Sequence, residues 1–123
     1  MKEALQFLKE RRTFYVATVE DGKPHLRPFG AIMEYEGKLY IVTSNTKNVY
    51  KQIVKNPSIA LCACGENREW IRIEGTAKLD NRVTAKQKML DDNPVLTQRK
   101  RYTSAEDPAM AIFCIDDAKI EFN

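Results

Sequence analysis

The sequence has little of what marks membrane, secreted or low-complexity proteins. In 123 residues it has one tryptophan, one histidine, three cysteines, five glycines and five prolines, with no internal repeat and no long Pro, Ser or Gly tract. No apolar run approaches the roughly 20 residues needed to cross a bilayer, and the segment Met1–Gln6 lacks the apolar core of a secretory signal. We therefore expect a cytoplasmic protein with no membrane partner.

The three cysteines do not follow a disulfide or zinc pattern. Their number is odd, and Cys62, Cys64 and Cys114 each lie within an apolar run. Zinc ligands are usually spaced C-x(2–4)-C, so a zinc set of these cysteines with His25 is disfavoured. Reduced thiols in or near the core are expected instead, and no metal site is predicted.

No charge of one sign dominates the chain. The 20 basic and 17 acidic residues leave a formal net charge of +3, which gives mild attraction to anions and does not by itself indicate nucleic acid. The one basic run, Gln98–Tyr102, is compatible with a solvated helix end. Nucleic-acid binding through Arg99, Lys100 and Arg101 is the alternative, and it would depend steeply on salt. The length and the 43% hydrophobic content are typical of one domain over 1–123.

The first part of the chain is predicted to form a helix and then three strands. Lys2–Arg11 repeats its apolar residues at helical spacing, whereas Thr13–Val19 and Pro24–Tyr35 have the composition of strands. The Asp-Gly pair between these two strands suits a hairpin. A second tight connection, Glu36-Gly37, leads into a third strand at Lys38–Thr43, so a three-stranded meander is expected.

The rest of the chain predicts further strands with short helices between them. A helix from about Thr46 to Lys55 ends against Asn56-Pro57, and Gly75 is expected to mark a bulge or a close backbone approach within a strand. Strands and helices do not alternate regularly, so the fold class is mainly β, a β-barrel with peripheral short helices. The other predicted elements are strands at Ser58–Cys64, Glu69–Leu79, Met110–Ile115 and Ala118–Phe122, and helices at Val83–Asp91, capped by Asp80-Asn81, and after a cap at Asn93-Pro94.

Polar residues gather where the third strand meets the following helix, over Thr43–Asn48. The first backbone N–H groups of a helix lack partners and the helix dipole is positive there, so this corner can attract a phosphate. On the preceding hairpin, His25, Arg27 and Phe29 share one strand face by alternation. A capped helix start and a solvated or interface arginine are the plain structural interpretations of the same residues.

Three segments, taken in order, resemble a known family. Gly22–Gly30, Tyr40–Asn48 running into Gln52–Pro57, and Trp70–Ala77 are together similar to the pyridoxamine 5'-phosphate oxidase-like FMN-binding split barrels. The resemblance implies a Greek-key split β-barrel that forms a homodimer, with FMN bound in grooves between the two subunits. It also implies a small-molecule substrate and no nucleic-acid partner.

The resemblance assigns cofactor-binding residues but no catalytic residue. Asn48 stands where larger members often carry a second basic residue. Trp70 stands where a flavin-contacting glutamine is common, so it is also expected to bind the cofactor, with a barrel or interface anchor as the open alternative. The residues expected beside the flavin are Arg27, Pro28, Phe29 and Gly30, those expected at the ribityl chain and phosphate are Val42, Thr43 and Ser44, and those expected at the phosphate near the helix start are Lys47 and Asn48.

The chain departs from the larger oxidases of this family. Ile32 replaces an expected lysine and Ala118–Asn123 offers no tryptophan, so the chain resembles the short members, which include flavin reductases, nitroimidazole-resistance proteins and general-stress proteins. The expected function is an FMN-dependent oxidoreductase that passes electrons from a reduced nicotinamide or another donor to a small acceptor. A non-catalytic FMN- or haem-binding electron carrier is the alternative.

Overall fold

The computed structural model describes residues 1–123 and is mainly β, as the sequence predicts. None of its helices has the length and apolar character that a membrane crossing requires. The four helices are α1 (Lys2–Arg11), α2 (Asn48–Lys55), α3 (Val83–Asp92) and α4 (Val95–Gln98). The seven strands are β1 (Phe14–Glu20), β2 (Lys23–Phe29), β3 (Ile32–Tyr35), β4 (Lys38–Ser44), β5 (Ser58–Cys64), β6 (Trp70–Asp80) and β7 (Met110–Phe122).

All seven strands belong to one antiparallel sheet, in the order β2-β1-β5-β6-β7-β4-β3. Helix α2 packs against both β1 and β4, and α1 against both β3 and β5, although these strands are distant in the sheet order. The sheet therefore curls until its two halves face each other, which confirms the expected split barrel. Strands β2 and β3 remain as unpaired edges, so the barrel is not closed by hydrogen bonds between its first and last strands.

The predicted three-stranded meander is wrong because Pro24–Tyr35 forms two strands instead of one. Strand β2 pairs only with β1 and β3 only with β4, so the two lie at opposite edges of the sheet. The break between them falls at Gly30 and Ala31. Both predicted tight turns are confirmed, and Gly22 and Gly37 adopt the positive φ angles, 75° and 78°, that such turns require.

Strands β6 and β7 are the longest in the sheet, and they contain the irregularity that helps it bend. Their register shifts between Glu74 and Thr76. An added Cβ at Gly75 would lie 2.6 Å from Ile115 Cγ2 and 2.7 Å from the carbonyl oxygen of Asp116. The predicted bulge and close approach are both confirmed, and the two segments predicted near the C-terminus are halves of one strand.

Buried apolar side chains form two clusters, one on each face of the curled sheet. The inner cluster has 18 buried residues from α1, α2 and every strand except β2, among them Phe14 and Phe113. The outer cluster has 13 buried residues, and in it α3 and α4 cover the outer face of β3, β4 and β7. Because Leu96 and Tyr102 belong to the outer cluster, the segment that follows α4 is held against the end of β4.

The helix starts differ from the predicted ones. Helix α2 begins at Asn48, two residues later than expected, with Lys47 as its N-cap. Asp80 does not cap α3: its carboxylate accepts hydrogen bonds from the backbone N–H and guanidinium of Arg82, at 3.0 and 2.8 Å. These bonds hold the pKa of Asp80 well below its usual value. At α4 the N-cap is Pro94 and not Asn93.

The cysteines are free, and only one of the three is buried. Cys114 belongs to the outer cluster, which fits the expected core thiol, whereas Cys62 and Cys64 are exposed on one face of β5. The expectation of core thiols is therefore wrong for these two. No group of three or more His, Cys, Asp or Glu residues is placed to hold a metal ion, so the zinc alternative finds no support.

The Gly75→Ala substitution is expected to destabilise the protein by about 1–3 kcal/mol, because the added methyl group would overlap Ile115 and the backbone of Asp116. The free energy of unfolding in urea measures this loss. Gly30→Ala is the matched control, since its Cβ meets only the carbonyl oxygen of Arg12 at 3.4 Å. Equal stability of the two variants would show that the bulge does not need glycine.

Candidate functional site

A cavity of about 530 Å³ opens where the ends of β2 and β4 meet the start of α2 and the segment that follows α4. Its first wall is the stretch 27–31, which continues from β2 into the break before β3. Its second wall consists of the last residues of β4 together with Lys47 and Val49, and its third consists of residues between 95 and 102. Three segments that are far apart in the sequence therefore share one cavity.

The cavity brings together eight of the ten residues predicted to bind a cofactor. Two predicted residues do not line it. Asn48, the first residue of α2, is exposed. Trp70 is half-buried at the start of β6, and the guanidinium carbon of Arg72 lies 5.5 Å from its ring centroid. The eight lining residues are Arg27, Pro28, Phe29, Gly30, Val42, Thr43, Ser44 and Lys47.

The lining of the cavity is strongly cationic. It includes no aspartate, glutamate, histidine or cysteine. None of its basic side chains forms a salt bridge within the chain, whereas seven other basic residues do. Positive charge with no carboxylate in the same lining creates a potential that attracts anions. The five basic residues that line the cavity are Arg27, Lys47, Arg99, Lys100 and Arg101.

Arg27 is fixed by neutral hydrogen-bond acceptors. Its Nη1 donates to the carbonyl oxygen of Val16 at 3.2 Å and to Thr18 Oγ1 at 2.8 Å, and its Nη2 donates to Gln52 Oε1 at 2.6 Å. Partial burial lowers the pKa of the guanidinium. Arg27 is thus neither a solvated strand arginine nor neutralised by a carboxylate. As predicted, His25, Arg27 and Phe29 share the half-buried face of β2.

The start of α2 adds donors to the same side of the cavity. Lys47 is the N-cap in an extended conformation, with φ −86° and ψ 154°, and no side chain caps the helix. The N–H of Lys47 donates to the carbonyl oxygen of Ser44 at 3.1 Å, and this bond closes the turn between β4 and α2. The first N–H groups of the helix therefore lack a side-chain partner, which is the arrangement that binds anions.

The remaining surface of the cavity is apolar. Val42, Val49 and Leu96 line it and are buried, and Phe29 is half-buried. Tyr102 closes the cavity on the α4 side, where its hydroxyl accepts a hydrogen bond from Ser44 Oγ at 3.3 Å. Burial raises the pKa of the Tyr102 phenol, so the neutral form persists through the physiological range. A lining that combines basic and apolar side chains suits an amphipathic anion.

Comparison with known proteins identifies the family. The family model described as pyridoxamine 5'-phosphate oxidase matches residues 1–123, the whole chain. The chain belongs to the pyridoxamine 5'-phosphate oxidase family. No protein of curated function matches it significantly.

Solved structures of three relatives show how far the likeness extends. A NimC/NimA family protein from Clostridium acetobutylicum is 39% identical, with a TM-score of 0.92, and the match covers 100% of this chain and 86% of that one. General Stress Protein 26 from Bacillus anthracis is 25% identical, with a TM-score of 0.79 and coverages of 98% and 92%. A pyridoxamine 5'-phosphate oxidase-related, FMN binding protein from Nostoc punctiforme is 18% identical, with a TM-score of 0.74 and coverages of 98% and 82%.

The sequence does not predict the third wall of the cavity. Its pattern gives no indication that Val95, Leu96 and Tyr102 line a site, and it indicates a solvated helix end or a nucleic-acid contact for Arg99–Arg101. The basic run was itself the available signal. Its place could not be deduced from local pattern, because the outer apolar cluster docks this segment and that packing is long-range.

We predict that inorganic phosphate raises the melting temperature of the protein, because it would bind among uncompensated cations. In Arg101→Gln the affinity for phosphate is expected to fall by about threefold to tenfold, the effect of one lost charge contact. Thermal shift titrations measure it. Arg68→Gln is the control, since Arg68 is also exposed and outside every salt bridge but does not line the cavity. Equal phosphate responses of the two variants would contradict the cationic site.

Proposed function

We propose that the protein is an FMN-binding oxidoreductase that passes electrons to a small-molecule acceptor. The observation that carries this proposal is the cavity at the β4–α2 corner, where five basic side chains meet without a carboxylate. Membership of the pyridoxamine 5'-phosphate oxidase family supports it. So does the Nostoc relative, whose name describes it as FMN binding.

The polar side chains of the cavity fit the phosphate and ribityl chain of FMN. Lys47 supplies a charge and the uncapped start of α2 supplies N–H donors for a phosphate dianion. Arg27 supplies a second charge. Thr43 and Ser44 carry the hydroxyls that suit the ribityl chain.

The apolar side chains of the cavity fit the ring of the flavin. Phe29 and Val42 offer an apolar surface and exclude water. Gly30 and Ala31 lie between two strands, so their backbone groups are available to the edge of a ring. When bound, FMN supplies the redox chemistry, and the residues of the chain bind and orient it.

The substrate of the larger oxidases fits this chain poorly. Ile32, which stands where those enzymes carry a lysine, is 2% exposed and packs in the inner cluster, so it cannot contact a substrate. We therefore propose another acceptor, with a reduced nicotinamide or another compound as the electron donor. Steady consumption of NADH or NADPH would distinguish an enzyme from a carrier that holds FMN or haem without turnover.

We propose a cytoplasmic location because the three free thiols of the protein fit a reducing compartment.

We also propose that the protein is a homodimer with FMN between the subunits. Tyr15 is 48% exposed and Leu26 is 69% exposed on the outer face of β1 and β2. Tyr15 pairs with Pro28, which lines the cavity, so a subunit docked on this face would reach the cavity mouth. Exposed apolar patches of this kind mark interaction surfaces.

Purified protein is expected to carry oxidised flavin or to gain its bound absorption spectrum when FMN is added. Lys47→Ala should weaken FMN binding about tenfold, since it removes one charge-assisted contact to the phosphate. Fluorescence titration measures the dissociation constant. Lys55→Ala, at the other end of α2, removes a lysine whose Nζ lies 3.2 Å from Asp21 Oδ1 and should leave FMN affinity unchanged. Absence of FMN binding by the wild type would refute the proposed function, and equal affinities of the variants would remove Lys47 from the site.

Leu26→Asp is expected to convert the dimer into monomers, because it places a charge in an apolar interface. Light scattering after size exclusion measures the molar mass. Val83→Asp is the matched control, since Val83 is 50% exposed at the first residue of α3, away from this face. The dimer proposal fails if the wild type is a monomer. It also fails if Leu26→Asp stays dimeric, in which case another face forms the contact.

A further inference from the structure

Helix α2 carries a buried amide on the face that it packs into the barrel. Gln52 is 5% exposed and lies beside the buried Val49 and Ile53 of the same helix. Its Oε1 accepts two hydrogen bonds, one from Thr18 Oγ1 and one from Arg27 Nη2, both at 2.6 Å. Burying a polar group costs free energy unless it is hydrogen-bonded, and an apolar side chain would serve packing alone. The amide therefore indicates a task beyond filling the core.

The acceptors around Arg27 are all neutral. They are the carbonyl oxygen of Val16, the hydroxyl of Thr18 and the amide oxygen of Gln52. Buried or half-buried arginines are usually paired with a carboxylate. A glutamate at position 52 would replace the amide NH2 of glutamine with an oxygen and would have nearly the same size. It would accept the same hydrogen bonds, but its negative charge would also cancel the positive charge of Arg27.

We infer that Gln52, together with Thr18, is a positioning residue that fixes Arg27 while leaving its charge available to the phosphate of the ligand. This inference rests on the proposed function and adds a determinant of phosphate affinity to it. Gln52 and Lys47 belong to the same helix, with Lys47 as its N-cap. The hydrogen bond from Arg27 to Gln52 therefore also fixes the position of β2 relative to the start of the helix, where Lys47 and the first N–H groups lie.

The test compares three variants with wild type against three ligands. Gln52→Glu keeps an acceptor but adds a counter-charge, and Gln52→Met removes the acceptor without adding charge. Gln87→Glu is the matched control, because Gln87 is exposed on α3 and its amide donates to Asp91 at 2.9 Å. The ligands are FMN, riboflavin, which lacks the phosphate, and inorganic phosphate. Flavin affinities are measured by fluorescence and phosphate binding by the shift in melting temperature.

We expect Gln52→Glu to bind FMN about tenfold more weakly than wild type, and Gln52→Met to lose less. Riboflavin should bind all the proteins within about twofold of one another, and Gln87→Glu should match wild type with every ligand. Melting temperatures without ligand should be no lower in Gln52→Glu than in Gln52→Met, because the new carboxylate pairs with Arg27. This pattern would show that Gln52→Glu weakens FMN binding by cancelling the charge of Arg27 and not by destabilising the fold.

Two results would overturn the inference while leaving FMN binding in place. One is unchanged FMN affinity in Gln52→Glu, and the other is an equal loss of FMN and riboflavin affinity, which would indicate a purely structural role. If the wild type binds neither flavin, the proposed function fails, and the titration with inorganic phosphate then tests the inference about Gln52 by itself. The inference is supported if phosphate raises the melting temperature of the wild type but not that of Gln52→Glu. The same rise in both proteins, or no rise in wild type, refutes it.

Discussion

The unbalanced positive charge of one cavity is the constraint to which the rest of the structure is adapted. Near a protein surface, two like charges about 8 Å apart repel by about 2 kcal/mol, so basic groups gathered without carboxylates oppose folding. The two apolar clusters, with 18 and 13 buried residues, supply the compensating stability. Seven basic residues elsewhere in the chain are paired, as Arg82 is with Asp80, whereas all five in the cavity lining are unpaired. Under the proposed function, the phosphate of FMN would supply the missing counter-charge.

The fold brings these charges together through long-range packing. Strand β4 ends at the cavity, and its pairing with β7 positions the turn that leads into α2. Strand β2 reaches the same place from the other end of the sheet, because the sheet curls and α2 bridges β1 and β4. The register shift at Gly75 allows β6 and β7 to follow this curl.

Local patterns predicted most of the elements and one corner of the cavity. Alternation, the Asp-Gly and Glu-Gly turns and the proline after α2 indicated most strands and helices, and the polar residues Thr43–Asn48 at a helix start indicated an anion site. The resemblance to the family, and not local pattern, assigned Arg27–Gly30 to the cofactor. The split of Pro24–Tyr35 into strands at opposite sheet edges was not predictable, since only Gly30 marks the break and strand pairing is non-local. The third wall was missed for the same reason, because the docking of Leu96 and Tyr102 depends on the outer cluster.

Helix α2 both packs into the hydrophobic core and contributes to the basic cavity. Its buried face, with Val49 and Ile53, packs into the inner cluster, so the helix cannot shift without disturbing the core. Its first turn presents Lys47 and free N–H groups to the cavity, while Gln52, one turn further on, accepts the hydrogen bond from Arg27. One rigid element thus holds the guanidinium of Arg27 and the backbone of Lys47, which come from different parts of the chain. An anion that contacts Arg27 and the first N–H groups of α2 would meet groups that are already ordered, and only the exposed Lys47 side chain would have to be ordered on binding.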